Sequence, residues 1–299
     1  MDFDYDSLVV LAAVVRTGSF EAAAKSLNVT QSAVSQRIKQ LEERVGSLLI
    51  VRGRPCVATE DGLLLCEHME QISLLQHELR QRLSAEGHSG NATATIRICV
   101  NNDSLATWFP NVVLRSADEI NLRLEVIADD QEFSEERLRS GDALAVVTTN
   151  DKPVAGCQQI ALGEMEYMAI ASPEYAQRFL SEGITLQSVS LSPALSFDRK
   201  DTLPFQWMLT AFGAAEEPSY HLIPSYEGHL SCCLKGVGWA LMPTVTVGPL
   251  VQQGRLIELV PGKRVTVSLH WQARSQTSEI SRRLSEIVAE EAAKHLTSA

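Results

Sequence analysis

The sequence predicts an α/β protein led by an all-α-type winged helix-turn-helix domain. Three observations carry that expectation. Residues 20–41 have the apolar spacing and the caps of two short helices joined by a tight turn. A heptad-like seam follows between residues 65 and 83. From residue 95 onward, strand and helix patterns alternate, as in a mainly parallel sheet whose faces are covered by helices.

The first helix is expected over 7–16, with Leu8, Leu11, Ala12 and Val15 on one face. Ser19 opens the next, where its hydroxyl can accept from free backbone N–H groups. Ala23, Ala24 and Leu27 form its inner face, and their small size lets another helix approach closely. Leu27-Asn28-Val29 is the turn, and Asn28 tolerates the left-handed backbone it needs. Thr30 caps the following helix, whose buried stripe is Val34, Ile38 and Leu41. Gln31, Ser32, Ser35, Gln36 and Arg37 are left on the outer face, mostly near its start. A recognition helix enters the major groove in that way, N-terminal residues first. Glutamine, serine and arginine can pair with base edges or phosphates. The other reading is an ordinary packed helical hairpin.

Residues 48–57 suggest a short two-stranded wing with Gly53-Arg54-Pro55 at its tip. Arg52 and Arg54 then join Lys39 as candidate phosphate contacts; a solvated hairpin is the alternative. This completes a DNA-binding domain over 1–58. Thr59 next caps a long helix reaching about residue 85. Leu65, Met69, Ile72, Gln76, Leu79 and Leu83 recur at 4, 3, 4, 3, 4, with polar Gln76 suited to fixing register. Such a helix is about 40 Å long. It buries its seam either against a second copy or against its own chain. The polar, glycine-containing stretch 86–94 is the expected hinge.

The remainder, 95–299, is expected to hold strands at 95–100, 122–127, 144–148, 167–171, 195–197, 221–223, 239–242 and 265–273. Helices are expected at 104–116, 134–140, 173–180, 204–212, 226–235 and 278–295.

Composition bounds the function. The 299 residues carry a formal net charge of -11, which opposes a basic footprint spread over the whole molecule. The first 60 residues carry equal numbers of cations and anions, so the DNA partner has to be met by a local patch. No apolar run reaches about 18 residues, so no membrane span is expected. The acidic start Asp2, Asp4, Asp6 lacks the basic region of a secretory signal, and the expected location is cytoplasmic. Cys56, Cys66, Cys99, Cys157, Cys232 and Cys233 have no metal-ligand spacing; they are read as buried apolar groups, with a redox or metal sensor as the alternative. The histidines are scattered, and no nucleophile or acid–base constellation stands out. No cofactor and no metal are expected.

Residues 23–42, Ala-Ala-Lys-Ser-Leu-Asn-Val-Thr-Gln-Ser-Ala-Val-Ser-Gln-Arg-Ile-Lys-Gln-Leu-Glu, strongly resemble the N-terminal domain of LysR-type transcriptional regulators. So do Gly46, Leu49-Ile50, Arg52 and Thr59-Glu60-Asp61-Gly62; Ile50 departs, because an aromatic residue is common there. Residues 31–42, 101–108 and 196–201 resemble the arginine- and lysine-responsive ArgP/LysG subgroup, also known as chromosome initiation inhibitor. The resemblance implies a dimerising linker helix at 59–85 and tetramers built from dimers. It also implies a periplasmic-binding-protein-like effector domain of two subdomains, about 95–165 with 265–299 and about 166–264. It implies control of amino-acid export or metabolism genes, with RNA polymerase as a possible contact.

Ligands of open α/β folds bind beyond the carboxyl ends of strands. Asn101, Asp103 and Ser104 follow the first strand of the domain, Thr148 and Thr149 the third, Asp198 the strand ending at 197, and Glu227 the one near 223. Ser104 and nearby N–H groups suit a carboxylate. Asp103, Asp198 and Glu227 suit cations, because a buried carboxylate is costly unless paired. Asp103 also reads as a helix cap and Glu227 as first-turn stabilisation. With the resemblance, the expected effector is lysine or arginine. The competing class is an enzyme or amino-acid-binding protein on the same cleft fold, with a helical appendage at its start.

Overall fold

The computed structural model describes residues 4–84, 94–128, 134–139, 142–274 and 278–298. The residues at 1–3 and the expected hinge, apart from Ala94, lie outside this set.

The N-terminal domain comprises α1 (Tyr5–Thr17), α2 (Phe20–Ser26), α3 (Gln31–Val45), β1 (Ile50–Val51) and β2 (Val57–Ala58). Ser19 and Thr30 cap α2 and α3, accepting from the N–H of Ala22 at 3.4 Å and of Ala33 at 3.2 Å. Asn28 between them has φ 55°, in the left-handed region the turn requires. Helix α1 is buried more widely than one amphipathic face: Val10, Ala13 and Val14 join Leu8 and Leu11 in the core, while Ala12 and Val15 are only partly covered. The reason is that α1 touches α2 and α3, and also α4 (Glu60–Ser84). Ile50 is buried in the same core despite its departure from the aromatic norm.

Thr59 caps α4, accepting from the Gly62 N–H at 3.2 Å. Gly62 is required there because any Cβ would collide with the Leu49 carbonyl. The expected seam is divided. Met69 is buried and Leu65 and Ile72 partly so, all packed against the α1 core, whereas Gln76, Leu79 and Leu83 face outward. Leu64 and Leu75 extend that open apolar row. On the other side of α4, Leu74 enters the core of the C-terminal domain.

That domain runs β3 (Ala94–Val100), α5 (Asn102–Thr107), α6 (Phe109–Ile120), β4 (Leu122–Ala128), α7 (Ser134–Arg139), β5 (Ala145–Thr148), β6 (Cys157–Ala171), α8 (Pro173–Phe179) and α9 (Leu186–Leu191). It continues β7 (Ala194–Ser196), α10 (Leu203–Phe212), β8 (Tyr220–Leu222), α11 (Tyr226–Leu234), β9 (Ala240–Pro243), α12 (Thr244–Gln252), β10 (Ile257–Glu258), β11 (Arg264–Arg274) and α13 (Glu279–Ala292). The single helix expected at 104–116 is broken at Trp108.

The main sheet has seven strands in the order β10-β6-β11-β5-β3-β4, with β9 beside β6. It is mixed, which corrects the mainly parallel expectation. Only β3 pairs in parallel, with β4 and β5; β6 and β11 pair antiparallel with each other and with their neighbours. The long β6 spans two halves: its start lies opposite the part of β11 that joins β5, and its end pairs with β9 and β10. The β6–β11 register shifts between Leu269 and His270. The parallel pair β7–β8 sits in the second half, tied to Trp239 by a bridge at Ala194.

All four tryptophans, Trp108, Trp207, Trp239 and Trp271, are fully buried. Burying a large apolar side chain contributes about 1.5–3 kcal/mol, so these residues anchor both halves. Two of their indole N–H groups are met by the chain: Trp207 donates to the Lys263 carbonyl at 3.1 Å and Trp271 to Ser285 Oγ at 2.9 Å, whereas those of Trp108 and Trp239 are buried without a partner among the described residues. No single helix among the described residues is long and apolar enough to cross a membrane.

Candidate functional sites: recognition helix and effector cleft

On α3, Gln31, Ser32, Gln36, Arg37 and Lys39 are exposed and Ser35 is half-buried, while Val34, Ile38 and Leu41 hold the opposite face in the core. The caps leave the first turn of α3 at the surface. Lys39 lies 3.6 Å from Glu43, a solvated i,i+4 pair worth little. Arg52 stands over the Phe20 ring, 5.2 Å from its centre, which holds its charge beside α2; Arg54 is exposed at the wing tip. Glu42 does a structural job: its carboxylate accepts from the N–H groups of Leu49 at 2.9 Å and Ile50 at 3.4 Å, fastening β1 to α3.

Between the halves of the C-terminal domain lies a cavity of about 550 Å³. Its wall contains Asn101, Asp103, Thr148, Thr149 and Asp198, five of the expected effector residues, brought together from three strand ends. Two others are not in the wall. Ser104 is fully buried, with its hydroxyl turned into the interior beneath α5. Glu227 is exposed on the first turn of α11, accepting from Ser225 Oγ at 3.4 Å, because its neighbour Tyr226 takes the inward position.

The wall adds groups that strand-end reasoning missed: Glu135 on α7, and Lys200, Asp201 and Gln206 after β7. Asp201 could have been found from the sequence, since it lies three residues beyond Asp198 in the same loop. Glu135 had no such signal, because a helix rather than a strand end delivers it.

Four carboxylates and one lysine therefore face this space. Most of the carboxylates already have partners. Glu135 accepts from Asn150 and Arg139. Asp201 accepts from Ser196 Oγ at 3.0 Å and the Leu203 N–H at 3.0 Å. Asp198 accepts from the N–H groups of Lys200 at 2.6 Å and Asp201 at 3.1 Å. Asp103 differs: Tyr167 donates to its Oδ2 at 2.7 Å, and its Oδ1 has no hydrogen-bond partner among the described residues. Burial pushes the Asp103 carboxyl up to about 6, with Tyr167 opposing the rise and Asp201 adding to it. Asn101 is 5% exposed, and neither end of its amide has a partner among the described residues. A buried amide left in that state costs free energy unless something else meets it.

Among the described residues, no group of three or more His, Cys, Asp or Glu could hold a metal. The six cysteines form no disulfide, and burial pushes Cys66 up to about 12, away from the reactive thiolate.

Two family models match successive parts of the chain. The model of bacterial regulatory helix-turn-helix proteins of the lysR family matches residues 5–63, and that of the LysR substrate binding domain matches residues 89–293. The regulator ArgP of Pseudomonas fluorescens Pf-5 is 39% identical over 269 residues, which is 90% of this chain and 89% of that protein. The crystal structure of ArgP from Mycobacterium tuberculosis superposes with a TM-score of 0.82 at 36% identity, each chain covered in full. Full-length LysG of Corynebacterium glutamicum with bound effector Arg gives 0.75 at 32% identity, covering 99% of this chain and 100% of that one. The chain belongs to the LysR family of DNA-binding transcriptional regulators. Its named relatives are regulators and not enzymes, so the enzyme reading is not favoured.

Proposed function

We propose that this protein is a cytoplasmic regulator that reads operator DNA through α3 and the wing, and whose cleft holds a basic amino acid, arginine or lysine. The regulated genes would serve amino-acid export or metabolism. One observation carries the effector reading: unpartnered Asn101 and the open Oδ1 of Asp103 share the wall of an acidic cavity. An amide can donate to the ligand's carboxylate and accept from its α-ammonium, while carboxylates hold the side-chain cation. Thr148, Thr149 and Asp198 complete the candidate set; Ser104 and Glu227 are withdrawn from it. The effector Arg bound to the LysG relative supports this choice of ligand class.

DNA-contacting residues are proposed to be Gln31, Ser32, Ser35, Gln36, Arg37, Lys39, Arg52 and Arg54. Self-association runs through the open apolar row of α4, giving dimers and, by pairing of dimers, tetramers. RNA polymerase is the partner such an assembly meets at a promoter.

Calorimetry with arginine, lysine, leucine and glutamate tests the effector assignment. The two basic amino acids should bind and the others should not. Asp103→Asn should weaken arginine about ten- to hundredfold, the loss of one charge-assisted hydrogen bond. DNA binding by the distant helix should survive. Equal binding of leucine, or an unchanged arginine affinity in Asp103→Asn, rules the assignment out.

A further inference from the structure

The Tyr167 side chain is 1% exposed and lies in the core, yet its hydroxyl reaches the cavity wall. Its backbone sits on β6, paired with Pro243 of β9 on one side and Val265 of β11 on the other. A residue so clamped cannot follow a moving side chain, so it fixes whatever it bonds. What it bonds is Asp103 Oδ2, at 2.7 Å, from the strand that joins the two halves.

We propose that Tyr167 is a positioning residue for the effector: by donating to Oδ2 of Asp103 it leaves Oδ1 for the ligand's cation and keeps the carboxylate charged. This rests on the effector reading above. A carboxylate with one oxygen held by a neutral donor keeps its charge while its rotation is frozen, so binding does not have to order it. The titratable groups facing the pair are Asp201, in the loop after β7, and Tyr226 on α11. Lys200 is the cation of the same wall. Asp201 opposes a second charge at Asp103, so without the Tyr167 hydroxyl Asp103 would retain its proton to higher pH.

Two measurements on the full-length chain test this. The first needs no ligand: carboxyl-carbon NMR titration of Asp103, assigned with Asp103→Asn. Tyr167→Phe keeps the ring and removes only the hydroxyl, and it should raise the Asp103 midpoint by about one pK unit or more. The second is arginine affinity by calorimetry across pH. In Tyr167→Phe the affinity should fall about fivefold near pH 6 and approach the wild-type value near pH 8, where Asp103 is ionised in either protein. A merely structural role would lower affinity by one factor at every pH. In an Asp103→Asn background, Tyr167→Phe should add no further loss. An unchanged midpoint, parallel affinity profiles, or a full additional loss in the double variant overturns the proposal. If the wild type binds neither arginine nor lysine while the midpoint still moves, the cationic-effector reading fails, and the ligand role of Tyr167 fails with it.

Discussion

The Arg274 guanidinium pairs with the Glu67 carboxylate, joining the last residue of β11 to the N-terminal third of α4. Both side chains are mostly buried, and burial raises the Glu67 carboxyl although Arg274 pulls it down. One turn beyond Leu74, Glu78 accepts from the Ile280 N–H at 2.9 Å, at the start of α13. At its other end α4 is fixed to the DNA-binding domain through Thr59, Gly62 and Met69. The helix therefore grips both domains, and β11 is one of the two strands that cross the cleft.

Arg274→Gln should loosen that grip. Leaving Glu67 without its partner should cost about 1–3 kcal/mol of stability, read by urea unfolding. Arginine affinity should be preserved, since Arg274 is outside the cavity wall. The arginine-induced change in operator affinity should shrink. If operator affinity still responds to arginine as strongly as in the wild type, the signal travels by another route.

Glu70 gives a pH signature on the same face. Burial pushes its carboxyl up to about 7, against the pull of Arg97 and Arg274. The folded chain thus holds this proton more tightly than the unfolded chain, and stability falls as pH rises from about 4.5 to about 7. Glu70→Gln removes the titration. It should stabilise the protein by about 1–3 kcal/mol at pH 8 and change little at pH 4. Parallel unfolding curves for the two proteins at both pH values would refute this.

How much of this was legible in the sequence depends on how local the signal was. Ser19, Asn28, Thr30 and the Val34, Ile38, Leu41 stripe act within a few residues, and each sits where its spacing indicates. Residues 157–166 of β6 were not readable as strand. Gly163 and polar residues such as Gln158, Gln159 and Glu164 interrupt the run, and what holds them extended is pairing with β11, about a hundred residues away. The cleft was half legible. Strand ends located Asn101, Thr148 and Asp198, but which way Ser104 and Glu227 point is set by helix packing. The division of the α4 seam was hidden for the same reason, since two different domains claim the helix.

The recognition helix should separate base reading from charge. Ser35→Ala with Gln36→Ala should cost about 1–3 kcal/mol against the operator and little against unrelated DNA. Arg54→Ala should weaken both and reduce the salt slope of binding by about one. A gel-shift series at several salt concentrations distinguishes them. Equal losses on both DNAs for the Ser35/Gln36 pair would remove those residues from base contact.

Self-association should depend on the outer face of α4. Leu79 and Leu83 are each 57% exposed, and with Leu64 and Leu75 they form an apolar row along one side of the helix. Apolar rows of that length on a helix are usually covered by another chain. Met69 and Leu74 are engaged in two different cores on other sides of the helix, which leaves this row open to a partner. Leu75→Asp with Leu79→Asp would place two charges in the row without touching either core. Light scattering should then report monomers at concentrations where the wild type is dimeric, and operator affinity should fall because two half-sites are no longer read together. The circular dichroism and melting of the C-terminal domain should not change. A double variant that remains dimeric would locate the interface on some other surface.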